Sequence, residues 1–314
     1  MTPIRIGVAL PTVGLDHSAD LLLPVADAAE RLGLDSVWAT DHLLMAFERD
    51  SEYPYGRSGT EIAMTPGMGW LEPLSALSFV AARTERVRLG TSVLVLPYRN
   101  PVLVAAQAAT INVLSGDRLV LGVGTGWMRE EFEALGIDPA ERGARTDECM
   151  QVMRALWRDD PASFNGRFHE FDDVVLGVPP RDSAPPLWVG GNTRPAMRRA
   201  LRHGDGWHGF EVFPEEMPAV RAQLAELGDE VGRDPGELEL SVVRGMIPPG
   251  REEESFIPDR RNLGGSAGEM VEELGRYAEN GVSLVVLQVS LLAPLMPEGL
   301  GWFASEVMSQ LDPA

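Results

Sequence analysis

Lysine is absent from this 314-residue chain, so all 27 of its basic side chains are arginine. This absence excludes Schiff-base catalysis and a lysine general base. Any bound anion must therefore be held by arginine or by backbone N–H groups. The missing residue type narrows the chemistry of a catalytic site before any motif is considered.

Cysteine is nearly absent as well, because Cys149 is the single one, and it cannot form a disulfide within the chain. A reducing, cytoplasmic location is the simplest expectation. Cys149 lies in a helical pattern beside Met150, Val152 and Met153. We therefore expect it to pack in the core and not to act as a nucleophile.

Positive charge and long apolar runs are also scarce. The formal net charge is −20, which disfavours nucleic acid or an anionic membrane as a partner. No run approaches the ~20 apolar residues of a membrane-spanning helix. No two histidines have the i, i+4 spacing of a metal site, so we expect no metal. The expected partner is a small-molecule substrate. The histidines are His17, His42, His169, His203 and His208.

The chain does contain eight short apolar runs, most of them followed by a helical pattern. This alternation predicts the α/β class and a single (β/α)8 TIM barrel over residues 1–314. We predict insertions after strand 2 (Leu43–Trp70), after strand 4 (with a hairpin at Phe164–Val174 whose His169 faces solvent) and after strand 7 (Ile247–Gly265). The predicted strands are Ile4–Leu10, Asp35–Thr40, Val87–Leu96, Leu119–Val123, Leu187–Gly190, Gly206–Gly209, Leu238–Met246 and Val282–Val289.

In such a barrel the chemistry lies where the C-terminal ends of the strands meet their loops. Asp41 and His42 follow strand 2, and a histidine there can orient a cofactor ring or exchange a proton near neutral pH. The alternative is a capping Asp41 and a structural His42 that bridges two loops. Glu130 and Glu131 could act as carboxylate acids or bases, but in the first turn of a helix we interpret them as partners of the helix dipole.

Two glycine-rich turns follow strands 4 and 5. The spacing in Gly122–Gly126 differs from the G-x-G-x-x-G dinucleotide fingerprint. Its glycines would let a planar ring or a phosphate tail approach the backbone, although a tight turn explains them equally well. In Gly190–Thr193 the helix start suits a phosphate, whereas the alternative is a glycine turn with Asn192 or Thr193 as the N-cap.

Together these stretches resemble the luciferase-like flavin and deazaflavin enzymes, over nearly the whole chain. The run Glu141–Glu148 resembles the branch that uses the deazaflavin coenzyme F420. The resemblance implies an oxidoreductase that moves a hydride between F420 and an organic substrate. An FMN-dependent monooxygenase and a non-catalytic flavin-binding barrel are the alternatives. The stretches that carry the resemblance are Ala28–Trp38 with Asp41-His42, Glu85–Val93, Leu114–Trp127 and Leu187–Asn192.

The resemblance also implies roles for single residues. His42 would be catalytic and would lie with Asp41 beside the reactive edge of the ring. A non-proline cis peptide bond between Ser92 and Val93 would contact the back of the ring. The other residues implied to bind the cofactor are Thr91 at the end of strand 3, Gly124, Thr125, Gly126 and Trp127 around the ring and substrate, and Gly190, Gly191 and Asn192 at the phosphate.

The resemblance further implies a homodimer, formed by the helices after strands 2 and 3 with the Leu43–Trp70 segment. The methionine and tryptophan content of Met64–Leu71 gives a physical motive, because exposed apolar patches usually mark interfaces. One departure limits the substrate. The related sugar-phosphate dehydrogenases have a proton-transferring glutamate where this chain has Trp127, and their lysine-rich clamp cannot exist here. Glucose 6-phosphate is therefore not the expected substrate.

Overall fold

The computed structural model describes residues 4–46, 49–54, 67–180, 183–254, 261–290 and 293–311. Eight parallel strands pair with their neighbours in sequence, and the eighth pairs with the first, so the sheet closes on itself. This closed barrel confirms the predicted (β/α)8 fold. Its strands are β1 (Arg5–Ala9), β2 (Ser36–Ala39), β3 (Arg88–Thr91), β4 (Leu119–Gly124), β5 (Leu187–Gly190), β6 (Gly206–Phe210), β7 (Glu239–Met246) and β8 (Val282–Val289).

Helices cover the outside of this barrel. Several begin with proline in their first turn, where the missing N–H costs nothing, and α1 and α3 end at glycines in the left-handed conformation. The helices are α1 (Ala19–Leu32), α2 (Pro73–Ala81), α3 (Pro101–Ser115), α4 (Arg129–Ala134), α5 (Arg142–Arg158), α6 (Arg194–His203), α7 (Met217–Val231), α8 (Ala267–Glu279) and α9 (Met296–Phe303).

The bounds of β5 and β8 are those predicted from the sequence, but β3 is much shorter than its apolar run. It ends at Thr91 and is followed by a cis peptide bond between Ser92 and Val93. The chain then pairs again with β4 at Leu94–Val95. The prediction of one strand over Val87–Leu96 is wrong, because apolar character alone does not reveal a change of backbone direction.

Apolar side chains form two layers. A small cluster of Trp38, Val120, Trp188, Val243, Leu284 and Val286 fills the barrel interior. A much larger cluster lies between the strands and the helices, and it contains Cys149. Burial raises the pKa of the Cys149 thiol to about 12, which confirms its predicted structural role. Among the described residues, no helix combines the length and the apolar character that a bilayer span needs.

Two short additions flank the barrel. Val13–Gly14 pairs antiparallel with Gly69–Trp70, which brings Trp70 close to His42. The predicted hairpin is present and pairs Ala162–Asn165 with Glu170–Val174. In it, the prediction that His169 faces solvent is wrong.

The ring of His169 is held against α5. Its Nδ1 lies 2.9 Å from Oε1 of Glu148. The same carboxylate also accepts hydrogen bonds from the backbone N–H groups of Arg167 and Phe168. A buried acid on the helix therefore draws the hairpin turn inward, and the local turn signal in the sequence could not show this.

Candidate active site

His42 lies just past β2, at the C-terminal mouth of the barrel, and it is paired with a buried carboxylate. Its Nδ1 is 2.9 Å from Oε2 of Glu131, at the first turn of α4. The Glu131 side chain is fully buried, whereas 13% of the His42 side chain is exposed. The other carboxylate oxygen accepts the backbone N–H groups of Leu43 and Leu44, and the hydroxyl of Tyr98 donates to Oε2 at 2.8 Å.

The protonation of this pair follows from its contacts. Burial acts to raise the pKa of Glu131, but the hydrogen bonds from His42 and the two amides outweigh it, so the pKa lies below its ordinary value. Glu131 is therefore ionised near neutral pH, and Nδ1 of His42 carries the proton that it donates. In the described part of the chain, Nε2 has no hydrogen-bond partner. This atom is free to give or accept a proton at the mouth.

The interpretation of Glu131 as a simple partner of the helix dipole is therefore wrong. Met128 and Phe132 are both buried, and Glu131 stands three residues after the first and directly before the second. At helical spacing it falls on the face that packs inward. That pattern is visible in the sequence and could have identified Glu131. Its neighbour Glu130 instead accepts the backbone N–H groups of Asp50 and Ser51.

Aromatic rings surround His42. Trp70 and Trp127 contact it edge-on, with ring centroids 5.3 and 5.8 Å away. Tyr53 contacts Trp127 in turn at 5.4 Å, and the guanidinium of Arg49 lies 5.8 Å from the Trp127 ring. These contacts bring three separate segments together at one wall of the mouth. The wall favours a planar or apolar ligand over a heavily charged one.

Asp41 differs from its neighbour His42, because both oxygens of its carboxylate are bonded to other groups of the protein. It forms a bidentate ion pair with Arg99, at 2.6 and 2.9 Å, and accepts the backbone N–H of Val95. The Asp41 side chain has no exposed surface. Thr91 is likewise buried, and its hydroxyl donates to the carbonyl of Gly122. These two predicted residues lie at the site, but their side chains hold the rim together.

The predicted cis peptide bond between Ser92 and Val93 is present. The Val93 side chain then lies against the glycines of the two neighbouring strand ends. A Cβ added to Gly124 or to Gly190 would lie 2.6 Å from a Val93 methyl group. These two glycines therefore make room for the Val93 side chain. Packing within the protein is enough to explain them, without the approach of a ligand to the backbone.

The turn after β4 carries Thr125, Gly126 and Trp127, all partly exposed. Gly126 has φ +74, which favours glycine, and a Cβ there would lie within 3 Å of Val95 and Phe132 side chains. The turn after β5 holds Gly191 and Asn192. Both polar atoms of the Asn192 side chain bond to the backbone of Phe210, and Thr193 is the N-cap of α6 without a side-chain cap bond.

Comparison with known proteins identifies the family. The model of the luciferase-like monooxygenase family matches residues 1–282. The chain belongs to this family. It is thus a member of a family of oxidoreductases, and the resemblance predicted from the sequence is confirmed. A protein of Mycobacterium tuberculosis described as uncharacterized is 36% identical over 229 residues, which are 73% of this chain and 78% of that protein.

The family relatives with named activities include F420-dependent enzymes. The F420-dependent glucose-6-phosphate dehydrogenase of Amycolatopsis mediterranei is 33% identical over 235 residues, which are 71% of this chain and 65% of that protein. The chain thus matches just under two thirds of that dehydrogenase. These relatives support the F420 branch within the family.

Solved structures of low identity share the fold. An F420-dependent secondary alcohol dehydrogenase in complex with an F420-acetone adduct has a TM-score of 0.77 and 20% identity, and the match covers 98% of this chain and 99% of that one. The oxygenating constituent of 3,6-diketocamphane monooxygenase from Pseudomonas putida, in complex with FMN, has a TM-score of 0.74 and 16% identity, with 99% of each chain covered. Similarity at this level shows the barrel and its connectivity alone.

Proposed function

We propose that this chain is an F420-dependent oxidoreductase that transfers a hydride between the coenzyme and an organic substrate. The observation that carries the proposal is the His42–Glu131 pair at a mouth walled by Trp70 and Trp127, where Nε2 of His42 has no hydrogen-bond partner among the described residues. The F420-dependent relatives support the choice of coenzyme. When bound, the coenzyme accepts or supplies the hydride.

The residues of this chain would supply position and a proton. For an alcohol substrate, Nε2 of His42 would take the hydroxyl proton while the carbon gives up its hydride, and Glu131 would stabilise the resulting imidazolium. In the reverse direction the same nitrogen would return the proton to the oxygen. This arrangement gives a proton donor although Trp127 stands where the sugar-phosphate enzymes have a glutamate.

The mouth offers contacts that fit a planar ring with a phosphate-bearing tail. The backbone of partly exposed Ser92 and Val93 would contact one face of the ring, and the Ser92 hydroxyl with Thr125, Gly126 and Trp127 would line its edge. The backbone around Gly190 and Gly191 and the first turn of α6, which lacks a side-chain cap, would hold the phosphate. Asn192, Asp41 and Thr91 would act by holding these elements in place.

The test is a titration of the purified protein with F420 and with FMN in separate experiments, followed by fluorescence. We expect F420 to bind at least tenfold more tightly, which corresponds to about 1.4 kcal/mol. Equal or reversed dissociation constants would contradict the choice of coenzyme and favour an FMN-dependent monooxygenase. Binding of neither would favour a barrel without this catalytic role.

Glucose 6-phosphate is the test compound that separates this chain from the sugar-phosphate dehydrogenases. Relatives named for it are about one third identical to this chain, but the chain has no lysine with which to build their sugar-phosphate clamp. We propose that the substrate is an uncharged or weakly charged organic molecule that fits the tryptophan wall. A panel of secondary alcohols, ketones and glucose 6-phosphate, read by the absorbance of F420, should show turnover in the first two groups and none with the sugar phosphate.

We also propose that the chain forms a homodimer through α2 and α3. The Leu43–Trp70 segment was also predicted to join this contact, but its residues 47–48 and 55–66, Met64 among them, lie outside the described residues. Neither helix contains a charged residue, in a chain of which 24% is charged. Phe79 and Leu103 are about half exposed on their outer faces, and a groove of about 260 Å3 runs between the two helices. An uncharged, partly apolar pair of helices fits a second copy of itself around a two-fold axis.

Light scattering decides the oligomeric state. A mass near 34.1 kDa would mean a monomer and reject the proposal, whereas twice that mass would support it. In a dimer, Leu103→Glu should shift the mass toward the monomer. Val175→Glu, at an exposed apolar residue beside the hairpin, should leave the mass unchanged.

A further inference from the structure

A second histidine spans the barrel interior beneath the mouth. His208 on β6 is buried, and its ring stacks on Trp38 with centroids 4.9 Å apart. Its Nε2 lies 2.9 Å from Oγ of Ser92, and its Nδ1 lies 2.7 Å from Oγ of Ser241 on β7. One imidazole thus connects the residue before the cis bond with the opposite side of the barrel.

The charge of this ring is fixed by its surroundings. Burial lowers the pKa of His208 to about 3, and both hydrogen-bonding partners are uncharged hydroxyls. The ring is therefore neutral near pH 7. A neutral imidazole has one N–H and one bare nitrogen, so one of its two partners must donate to it and the other must accept from it.

The neighbours determine which nitrogen carries the proton. The hydroxyl of Ser241 donates to the carbonyl of Trp207 at 3.2 Å, since a carbonyl can only accept. A hydroxyl has a single proton, so Oγ of Ser241 accepts from Nδ1 of His208. Nε2 then has only its lone pair, and the hydroxyl of Ser92 donates to it. In this row of hydrogen bonds, from Ser92 through His208 and Ser241 to Trp207, every proton is directed away from the mouth.

We propose that His208 and Ser241 are positioning residues that make the Ser92 hydroxyl a pure hydrogen-bond acceptor toward the ligand. Ser92 is only partly buried and lies at the mouth, so the lone pairs of its hydroxyl oxygen are available there to accept a hydrogen bond. The site thereby selects a planar heterocycle that presents an N–H donor to the end of β3. The ligand part of this inference rests on the proposed function, because it concerns the ring that the mouth binds.

The direction of the hydrogen bonds can be measured without any ligand. Protein labelled with 15N-histidine has only five histidines, and the signals of His208 are those lost in His208→Asn. We expect the ring nitrogen shifts to show a proton on Nδ1 and a bare Nε2. A proton on Nε2 would reverse the direction of these hydrogen bonds, so that Ser92 would accept from His208 and donate toward the ligand. That result would overturn the inference, whatever coenzyme the protein uses.

The consequence for binding is tested with Ser92→Ala, Ser241→Ala and the double variant, by titration with F420. Loss of Ser241 removes the acceptor of Nδ1–H and frees the other tautomer, so each single variant should weaken binding about tenfold, or about 1.4 kcal/mol. The double variant should bind F420 no more weakly than Ser92→Ala does, because the tautomer of His208 affects the ligand only through the Ser92 hydroxyl. Additive losses would overturn the inference.

Ser36→Ala is the matched control. Ser36 is also buried in the barrel wall, and its hydroxyl accepts the indole N–H of Trp38 at 2.9 Å. This variant removes a buried hydroxyl from the barrel interior in the same way, and it should leave the dissociation constant for F420 unchanged. If the wild-type protein binds neither F420 nor FMN, the proposed function fails, and the tautomer measurement alone decides the direction of the hydrogen bonds.

Discussion

The two histidines at and below the barrel mouth have opposite partners. His42 contacts an ionised carboxylate, and its other nitrogen has no hydrogen-bond partner in the part of the chain that the structure describes. His208 contacts two neutral hydroxyls and has both nitrogens bonded. A carboxylate partner stabilises the protonated ring, and burial among uncharged groups destabilises it. The partner and the burial, more than the residue type, therefore distinguish a histidine that can exchange protons from one that holds a geometry.

The largest effect is expected at His42. Replacing it with alanine removes the exchangeable proton, and acid–base help of this kind contributes about 10²–10⁴-fold to turnover. The assay uses the substrate that the alcohol and ketone panel identifies. Circular dichroism should show an intact fold. Normal turnover would mean that His42 is structural and does not exchange a proton with the substrate.

Glu131→Gln should lower turnover by about 10²-fold, at the low end of that range. The amide preserves the shape but cannot stabilise an imidazolium by charge. Because the pKa of Glu131 is lowered by folding, its contribution to stability is present above the ordinary value of 4.5 and is lost as the pH falls through the folded pKa. Urea unfolding between pH 5 and 3 should therefore show a shallower loss in the variant than in the wild type.

His208→Asn tests whether the buried histidine stays neutral in the folded protein. The pKa of His208 is lowered from 6.5 to about 3 on folding, so the unfolded chain binds the proton more readily between these pH values. Stability is thus fully present above pH 6.5 and is lost toward pH 3, by up to about 1.4 kcal/mol per pH unit. The variant should lose this slope. An unchanged slope in His208→Asn would show that His208 does not titrate as described.

The smallest effect is expected at Tyr98. Its hydroxyl donates to Glu131, and burial together with the Glu131 charge raises the pKa of Tyr98 far above its usual range. Tyr98→Phe removes one of the hydrogen bonds to the carboxylate, which costs about 1.5–3 kcal/mol of stability. Turnover should fall less than tenfold, because the His42 contact remains. A loss as large as that of Glu131→Gln would mean that Tyr98 itself takes part in the chemistry.

Much of the site could be predicted from the sequence because it lies at strand ends. The barrel, the position of His42 and the glycine turns follow from the alternation of apolar runs with helical patterns. The partners of the side chains depend on residues distant in the sequence. Asp41 and Asn192 lie where predicted, but long-range partners, Arg99 and the Phe210 backbone, use their polar atoms.

Other residues gave no usable signal. His208 stands in an apolar strand, and nothing nearby in the sequence points to Ser92, which is 116 residues away. Arg99 and Tyr98 follow β3 in a short turn without a motif, yet they bind Asp41 and Glu131. Such pairs form only when the barrel closes, because closure brings strands distant in sequence to the same mouth.

The fold class, the order of strands and helices, the family and the absence of lysine chemistry follow from the amino-acid sequence alone, because they depend on local pattern and residue type. The folded chain is needed to see which acid contacts His42, which histidine stays neutral and why Gly124 and Gly190 lack a side chain. These features depend on burial and on contacts across the barrel. Burial sets the energy of a charge, and contacts set the direction of a hydrogen bond, and neither is encoded in a local stretch of sequence.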